Sequence, residues 1–333
     1  MFNTTTDANL EGNPIDDVIG GSIKYAALTS AAKLGIFRVL EEGPKSLADL
    51  ATAIGASEAG TQAVADVVAV LGWLEHTDGV YANGPLAKRW LDSGSEFDFT
   101  PALLWAYELI NVLWDLPQAV RDGKPAQSLW ERWADKPEAG RDFSQYMKVK
   151  SRLTVPSIVD AVPVPEGAER LLDLGGSHGL HSSAFCHRYP ELTATILDLP
   201  EALAGTPAAI EAEGLTDRIE LRRGSFLTDD LGEGYDLILL FEIVHNHPDA
   251  TNRDLIARAA KALRPGGRIV ILEDVRGAEL DAHNTAFSLA MYACSGDRTY
   301  SLPEITSWLD GAGLASVETI KLPSSVSLVI GTK

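Results

Sequence analysis

Short apolar runs alternate with helical segments throughout the second half of the chain, from Arg170 onwards. RLLDL, TATILDL and YDLILLF have the length and composition of buried strands, and segments such as TNRDLIARAAKAL have helical spacing. This alternation predicts a doubly wound α/β fold with a mostly parallel sheet. SVETIKL and SVSLVIGT predict a final antiparallel pair. Ligands of such sheets bind beyond the carboxyl ends of the strands, where strand order reverses.

The first half of the chain, residues 15–161, is predicted to be almost entirely helical. Ser46 and Ser57 stand where helix N-caps are expected, and Asp78-Gly79 has the sequence of a hairpin turn. Helix, turn, helix and hairpin in this order predict a winged-helix-like unit.

A domain boundary is predicted at VPVPEG, where two prolines and a glycine end the helical pattern. A chain of 333 residues is long enough for two domains. We therefore expect a helical, winged-helix-like domain over residues 1–161 and an α/β domain over residues 162–333.

The charge of the chain argues against nucleic acid or a membrane as its partner. Lys and Arg number 28 against 47 Asp and Glu, a formal charge of −19, which repels phosphate and anionic lipid. The second helix of the winged unit, Ser57 to Leu74, contains no Lys or Arg but has Glu58 and Asp66. A helix in the DNA major groove needs cationic and base-reading side chains. Packing or dimerisation is the favoured role, with a ligand-sensing regulator as an alternative.

Two cysteines, Cys186 and Cys294, are too few for a disulfide framework and fit a reducing compartment. The N-terminal segment is polar and acidic, unlike a signal peptide, and no apolar run of about 18 residues or more is present. We expect a cytoplasmic protein.

A glycine cluster, LLDLGGSHG, follows the first strand of the predicted sheet. It is either a simple turn or a bare backbone against which a ligand docks. Asp198 ends the next strand, where a carboxylate can accept hydrogen bonds from both hydroxyls of a ribose. The dinucleotide pattern G-x-G-x-x-G would need glycines where Ser177 and Leu180 stand. This difference disfavours a nicotinamide-dependent dehydrogenase and favours a nucleoside ligand.

LLDLGGSHG, ATILDLPEAL, YDLILLFEIVHNHPDATNRDLI and ALRPGGRIVILED resemble the motifs of class I S-adenosylmethionine (SAM)-dependent methyltransferases. Residues 15–333 resemble the small-molecule O-methyltransferases related to plant caffeate, bacterial phenazine and polyketide-tailoring enzymes. The resemblance implies a seven-stranded Rossmann-like sheet, an N-terminal dimerisation domain, a homodimer, SAM as cofactor and a small, largely apolar hydroxylated ring compound as substrate.

The resemblance also implies which residues hold the cofactor. The glycine cluster would cradle the methionine end, Asp198 the ribose, and the segment beginning at Gly224 the adenine. Ser225 stands where the family usually has a carboxylate, and Ser177 where it usually has a third glycine. The cofactor-binding residues implied are Asp173, Gly175, Gly176, Ser177, Gly179, Asp198, Leu199, Ser225, Phe226 and Phe241.

His245, in FEIVHNHPD, matches the catalytic histidine of the family and would remove the substrate proton. Its alternative role is to cap the following helix. Glu273 and Asp297 match the two acids that steer this histidine, although Asp297 is one methylene shorter than the usual glutamate.

The substrate residues implied by the resemblance are Phe143, Met147, His247, Met291 and Tyr292. Aromatic and thioether side chains suit a flat ring, but core packing is the alternative for all of these except His247. Other reactions also stay open. His245, His247 and His283 could hold a metal for C-methylation, and some relatives of this fold bind SAM without transferring its methyl group.

Overall fold

The computed structural model describes residues 14–323 and 325–333. The chain divides into two compact units, a first that ends at Ile110 and a second over Asn111–Lys333.

The first unit is helical with one small sheet. Its first long helix ends at Lys33, because Gly35 takes a left-handed conformation before the next helix begins at Ile36. Predicted caps at Ser46 and Ser57 are confirmed, since each side chain accepts a hydrogen bond from a backbone amide in the first turn. The elements are α1 (Pro14–Lys33), α2 (Ile36–Glu41), β1 (Lys45–Ser46), α3 (Leu47–Ala53), α4 (Glu58–Val70), β2 (Leu74–Thr77), β3 (Val80–Asn83), α5 (Pro85–Trp90) and α6 (Thr100–Trp114), which continues past the division.

The predicted hairpin is confirmed. Strands β2 and β3 pair antiparallel around Asp78 and Gly79, which both have positive φ as a tight hairpin turn requires. The two-residue strand β1 adds to β3, a pairing that the sequence analysis did not predict.

The second unit begins with helices and continues as an α/β domain. Its elements are α7 (Leu116–Asp122), α8 (Leu129–Asp135), α9 (Pro137–Ala161), β4 (Arg170–Leu174), α10 (Leu180–Arg188), β5 (Thr193–Asp198), α11 (Thr206–Ala212), β6 (Ile219–Arg223), β7 (Tyr235–Phe241), a 3₁₀ turn (Val244–Asn246), α12 (Asp249–Ala262), β8 (Leu263–Glu273), α13 (Ala282–Ser295), α14 (Leu302–Gly311), β9 (Ala315–Lys321) and β10 (Ser327–Thr332).

The composition change at residue 162 does not coincide with the division at Asn111. Helix α9 packs along α10, so the helical segment before the first large strand belongs to the second compact unit. Proline and glycine mark the end of a helix, but side-chain packing determines which unit that helix joins.

The second unit contains the predicted sheet, with strand order β6-β5-β4-β7-β8-β10-β9. β4 to β8 pair in parallel, while β10 is antiparallel to both β8 and β9, as the C-terminal pair predicts. Every residue of β7 is buried, as expected for a central strand covered on both faces. The strand order reverses between β4 and β7, which places the ligand crevice beyond Leu174 and Phe241.

Both faces of the sheet carry an apolar core. One includes Leu171, Phe185 and Leu237, and the other includes Leu172, Ile238 and Trp308. Within the described residues, no helix combines the length and apolar character needed to cross a membrane.

Candidate active site

The glycine cluster forms the loop between β4 and α10, at the predicted crevice. Gly175 and Gly179 have φ values of 74°, and Ser177 has a φ of 38°, so three backbone positions lie in the left-handed region. The Gly175 amide donates to the Leu197 carbonyl of β5 at 3.0 Å. This hydrogen bond and the three left-handed positions give a tightly folded loop that joins β4 to α10 and is held against β5.

Close packing explains two of the glycines. A Cβ on Gly175 would lie 2.3 Å from Cδ1 of Ile243, and a Cβ on Gly176 would lie 2.5 Å from the Asp173 carboxyl. No side chain fits at either position without movement of its neighbours. Gly175 and Gly176 therefore have no side chains because neighbouring residues of the chain occupy that space, and this holds whether or not a ligand binds the loop.

Asp198 joins the end of β5 to this loop. Its carboxylate accepts hydrogen bonds from the Ser177 amide at 3.0 Å and the Leu199 amide at 2.7 Å. Burial raises the pKa of Asp198 despite these two bonds. Asp198 thus lies at the crevice with two further lone pairs, as the prediction for a ribose-binding carboxylate requires, while Leu199 beside it is half-exposed.

Asp173 lies beneath the loop rather than on its surface. It is fully buried, and its carboxylate accepts a 2.7 Å bond from the Ser182 hydroxyl. Burial raises its pKa to about 7, and the nearby Asp198 adds to this effect. The structure gives Asp173 contacts within the protein, so its predicted role in binding the cofactor stays a prediction.

Phe226 lies close to the loop, with a ring carbon 3.5 Å from where a Gly175 Cβ would be. His247 packs edge-on against Phe226, with ring centroids 5.9 Å apart. The Ser225 amide donates to the carboxylate of Asp229 at 3.1 Å. The predicted adenine clasp thus has an apolar ring, and His247 lies beside that ring.

His245 and Glu273 form a buried pair at the ends of β7 and β8. His245 Nδ1 lies 2.7 Å from Glu273 Oε2, and Glu273 Oε1 accepts the Val244 amide at 2.9 Å. Since an ionised carboxylate only accepts, Nδ1 carries the hydrogen and Nε2 carries the free lone pair. Burial opposes the imidazolium, but the charge and hydrogen bond of Glu273 outweigh it, so the pKa of His245 is raised.

The alternative role of His245 as a helix cap is not observed, because α12 begins at Asp249 with Pro248 as its N-cap. Asn252 instead holds the turn that carries His245, since its side-chain amide donates to the carbonyls of Val244 and His247 at 2.9 Å.

Asp297 has other partners than His245 in the structure. The Tyr300 hydroxyl lies 2.7 Å from the Asp297 carboxylate and 2.9 Å from the His247 carbonyl, and donates to this pair of acceptors. Through Tyr300, Asp297 is linked to the backbone at His247, directly after the turn that carries His245. Direct steering of His245 by Asp297 stays a prediction.

Phe287 on α13 is a site residue that the sequence analysis missed. Its ring packs edge-on against His245, with centroids 5.2 Å apart. Met291 follows one turn later on the same helix, so the prediction of an apolar contact from α13 fits this face. Tyr292 points elsewhere: its hydroxyl donates to the Ala119 carbonyl at 3.0 Å, and it lines a groove with Arg276 and Arg298.

Phe143 and Met147 lie one turn apart on α9 and are both half-buried. Phe143 packs against Trp133 of α8, with ring centroids 4.9 Å apart. Phe143 therefore has a packing role, and the predicted substrate contacts of both residues stay predictions.

Lys150, also on α9, forms an ion pair with Glu242 at the end of β7, with Nζ 2.5 Å from Oε1. The sequence alone indicates neither residue, because a lysine between Lys148 and Arg152 on a helix gives no signal of a long-range partner.

Two histidines lie nearby, His178 in the glycine loop and His181 in the first turn of α10. His178 contacts Ser151 at 3.1 Å, and His181 Nε2 is buried without a hydrogen-bond partner in the described part of the chain.

The three imidazoles considered as metal ligands do not converge. His283 is mostly exposed and pairs with Asp274 at 2.9 Å, whereas His247 packs on Phe226. Across residues 14–323 and 325–333, no group of three or more His, Cys, Asp or Glu side chains has the arrangement to hold a metal ion.

The residues present fit a nucleoside cofactor with a sulfonium. The crevice offers a carboxylate for hydroxyl groups at Asp198, an aromatic ring at Phe226 and a loop with only small side chains at residues 175–177. The His245–Glu273 pair lies at the end of the adjacent strand, across the point where strand order reverses. The predicted cofactor residues and this buried pair therefore lie at the same edge of the sheet.

Family comparisons agree with this arrangement. Residues 113–315 match the O-methyltransferase domain family, and residues 17–93 match the O-methyltransferase dimerisation domain family. The chain is 29% identical to a 3-hydroxy-5-methyl-1-naphthoate 3-O-methyltransferase of Streptomyces sahachiroi, over 96% of this chain and 94% of that protein. It is 30% identical to the tetracenomycin polyketide synthesis 8-O-methyl transferase TcmO of Streptomyces glaucescens, over 92% of each.

Solved structures show the same fold. Human N-acetylserotonin methyltransferase in complex with SAM superposes with a TM-score of 0.85, at 23% identity over 100% of this chain and 99% of that chain.

Proposed function

The chain belongs to the SAM-dependent O-methyltransferase family, and on that premise we propose that it methylates a hydroxyl of a small aromatic or polyketide-like metabolite, with His245 as general base. The observation that carries the proposal is the buried 2.7 Å pair of His245 and Glu273 at the crevice. The naphthoate and tetracenomycin enzymes among its relatives support a fused aromatic substrate.

The protein contributes a base with a defined tautomer. Glu273 holds the Nδ1 hydrogen, so Nε2 takes the hydroxyl proton, and the carboxylate stabilises the imidazolium that results. SAM, when bound, supplies a methyl group already activated on a positively charged sulfur. With SAM bound, a new bond from the substrate oxygen to the methyl carbon would break the carbon–sulfur bond and leave its electron pair on sulfur. The products are a methyl ether, S-adenosylhomocysteine (SAH) and a proton on His245.

Phe287 supplies an apolar ring surface beside this base, and we expect Met291 and Met147 to extend that surface. Such a surface favours a flat, largely apolar substrate. The substrate hydroxyl must also reach Nε2, because orientation is the main requirement for methyl transfer from an activated donor.

Products formed from SAM with a ¹³C-labelled methyl group test the proposal. The purified protein is incubated with a panel of hydroxynaphthoates and hydroxylated anthraquinones, and carbon NMR locates the label. We expect labelled methoxy groups and an equal amount of SAH. Label on a ring carbon, or SAM binding with no transfer to any acceptor, would instead support the C-methylating or non-methylating alternatives.

We also propose a homodimer formed through the N-terminal unit. The match to the dimerisation domain supports it, as do exposed apolar side chains on α1 and α4, including Val18, Ile23 and Val70.

A cytoplasmic location stays a prediction, supported by two buried cysteines that are both free thiols.

A further inference from the structure

An ion pair reaches from α9 to the strand end that carries the catalytic turn. Lys150 Nζ lies 2.5 Å from Glu242 Oε1, and Glu242 is three residues before His245. On α9, Lys150 follows Met147 by about one turn and Phe143 by two, so the three share one face of the helix. The Lys150 side chain is 37% exposed and that of Glu242 is 19% exposed, so a partly exposed lysine reaches a mostly buried carboxylate.

The backbone at Glu242 is strained. Its φ is 57°, a left-handed conformation that costs a residue with a side chain roughly 1–2 kcal/mol. The Glu242 amide donates to the Leu272 carbonyl of β8 at 2.8 Å, which holds the residue in place. Strain of this kind persists where the surrounding structure imposes it, and it is concentrated at functional sites. At Glu242 the left-handed conformation directs the carboxylate towards Lys150, just before the turn that carries His245.

Several titratable groups surround Lys150. His245, Glu273 and His181 of α10 lie within range of its charge. Glu242 also acts on His178 and His245, and Lys148 and Arg152 are further cations near His178. Burial opposes the Lys150 ammonium, but Glu242 outweighs it and raises the pKa of Lys150. Burial likewise opposes the Glu242 carboxylate, and Lys150 outweighs it and lowers the pKa of Glu242. Both groups are therefore ionised at neutral pH.

We propose that the Lys150 ammonium binds the substrate oxygen as that oxygen loses its proton to His245, and that Glu242 positions the ammonium. The proposal rests on the proposed function, because it concerns the same hydroxyl. Glu242 is the hydrogen-bond partner of Nζ among the described residues, and an ammonium has three donors, so two remain for a ligand.

The reaction has an energetic need for such a cation. A phenol has a pKa of about 10 and an imidazole one of about 6.5, so proton transfer between them is unfavourable by roughly 3.5 pKa units in water. A cation within about 4–6 Å lowers the pKa of an acid by about 1–3 units. In the proposed step the proton passes from the hydroxyl to His245 Nε2, no electrons are exchanged, and Lys150 keeps its own proton.

Spectroscopic titration of a bound phenol tests this role. The SAH complexes of the wild type, Lys150→Met, Lys150→Arg and Lys148→Met are loaded with para-nitrophenol or a nitronaphthol, whose anions absorb at longer wavelength than the neutral forms. We expect the ionisation constant of the bound probe to be about tenfold or more higher in the wild type than in Lys150→Met. Lys150→Arg should keep most of the effect. Lys148→Met, which removes the same charge from the same helix, should match the wild type.

Three results would overturn the proposal. One is an equal ionisation constant of the bound probe in the wild type and Lys150→Met, and another is a wild type that binds no probe. The third is a loss of SAH affinity in Lys150→Met with no change at the probe, because Lys150 would then hold the cofactor. If Lys150→Met does not fold, Glu242→Gln tests the same pair and should also lower the probe's ionisation constant.

The labelled-methyl experiment on the wild type separates this inference from the proposed function. If methoxy products form but the ionisation constant of the bound probe does not depend on Lys150, the proposed function is supported and only the role of Lys150 is wrong. If that ionisation constant depends on Lys150 but no methoxy product forms, the proposed function is wrong.

Discussion

The hydrogen bond between Glu273 and Nδ1 determines which nitrogen of His245 can act. A histidine alone is ambiguous, since either ring nitrogen can carry the proton. In the proposed mechanism, the 2.7 Å contact to a buried carboxylate removes this ambiguity, and in neutral His245 it leaves the Nε2 lone pair for the substrate. The same carboxylate accepts a hydrogen bond from the Val244 amide. Glu273 therefore affects both the charge of the His245 ring and the position of the backbone next to it.

Glu273→Gln should move the acid limb of the pH profile of kcat to lower pH. Burial lowers the pKa of His245, whereas Glu273 and, to a smaller extent, Glu242 raise it, so removal of the Glu273 charge lowers that pKa. The maximal rate should fall about tenfold or more, because the imidazolium loses its counter-ion. Asp297→Asn is the matched control. Because Asp297 contacts Tyr300, the acid limb of the pH profile of this variant should lie where it lies in the wild type. A limb that moves in Asp297→Asn but not in Glu273→Gln would reverse the two assignments.

Asp173→Asn should stabilise the protein at pH 8 more than at pH 5. The folded pKa of Asp173 is about 7 against an ordinary 3.8, so between these values the folded state holds a proton that the unfolded chain releases. Stability therefore falls as pH rises through this window, and the amide, which cannot ionise, avoids the loss. Urea unfolding should show a gain on the order of 2 kcal/mol at pH 8.

Exposed Asp310→Asn is the control for Asp173→Asn, and its effect should be the same at both pH values. An equal effect of Asp173→Asn at pH 5 and pH 8 would show that the buried carboxyl is ionised throughout.

Single residues also mark the limit of prediction from the sequence. His245 could be predicted because it lies in a motif with fixed spacing from the strand end. Phe287 and Lys150 could not, because their contacts to His245 and Glu242 join elements that are far apart in the chain. Their local sequences resemble those of ordinary amphipathic helices.

At the scale of elements, the crevice follows from the order of the strands. β4 neighbours both β5 and β7, so the loop after β4 and the turn after β7 emerge side by side. The alternation of strands and helices predicts this sheet, and the predicted hairpin and two serine caps are confirmed. The helix break at Gly35 is a local effect of a left-handed glycine that the sequence pattern did not reveal. The pairing of β1 and the membership of α9 were not predictable, since they depend on contacts between separate segments.

Two substitutions in the glycine loop should act in opposite directions. Gly176→Ala places a methyl group 2.5 Å from the buried Asp173 carboxyl, so we expect destabilisation of about 1–3 kcal/mol. Ser177→Gly relieves a positive φ of 38° and should raise stability by up to about 1 kcal/mol. Thermal or urea unfolding measures both. Destabilisation by Ser177→Gly would show that the serine hydroxyl matters more than the backbone strain.

At the scale of the whole molecule, the apolar surface of the N-terminal unit predicts self-association. Val70 is 87% exposed on α4, so Val70→Glu should not disturb the fold but should weaken the dimer about tenfold or more in sedimentation experiments. Val120→Glu on α7, at a site 61% exposed and outside the dimerisation domain match, is the control and should sediment as the wild type. A Val70→Glu protein that remains dimeric would place the interface elsewhere.

The most direct test of the whole account is His245→Gln, measured at saturating SAM with an acceptor that the wild type methylates. Turnover should fall by about 100-fold or more, the usual contribution of a general base, while calorimetry gives an SAH affinity close to that of the wild type. Turnover within about tenfold of the wild type would show that the proton leaves by another route. A parallel loss of SAH binding would show that His245 serves the cofactor and not the substrate.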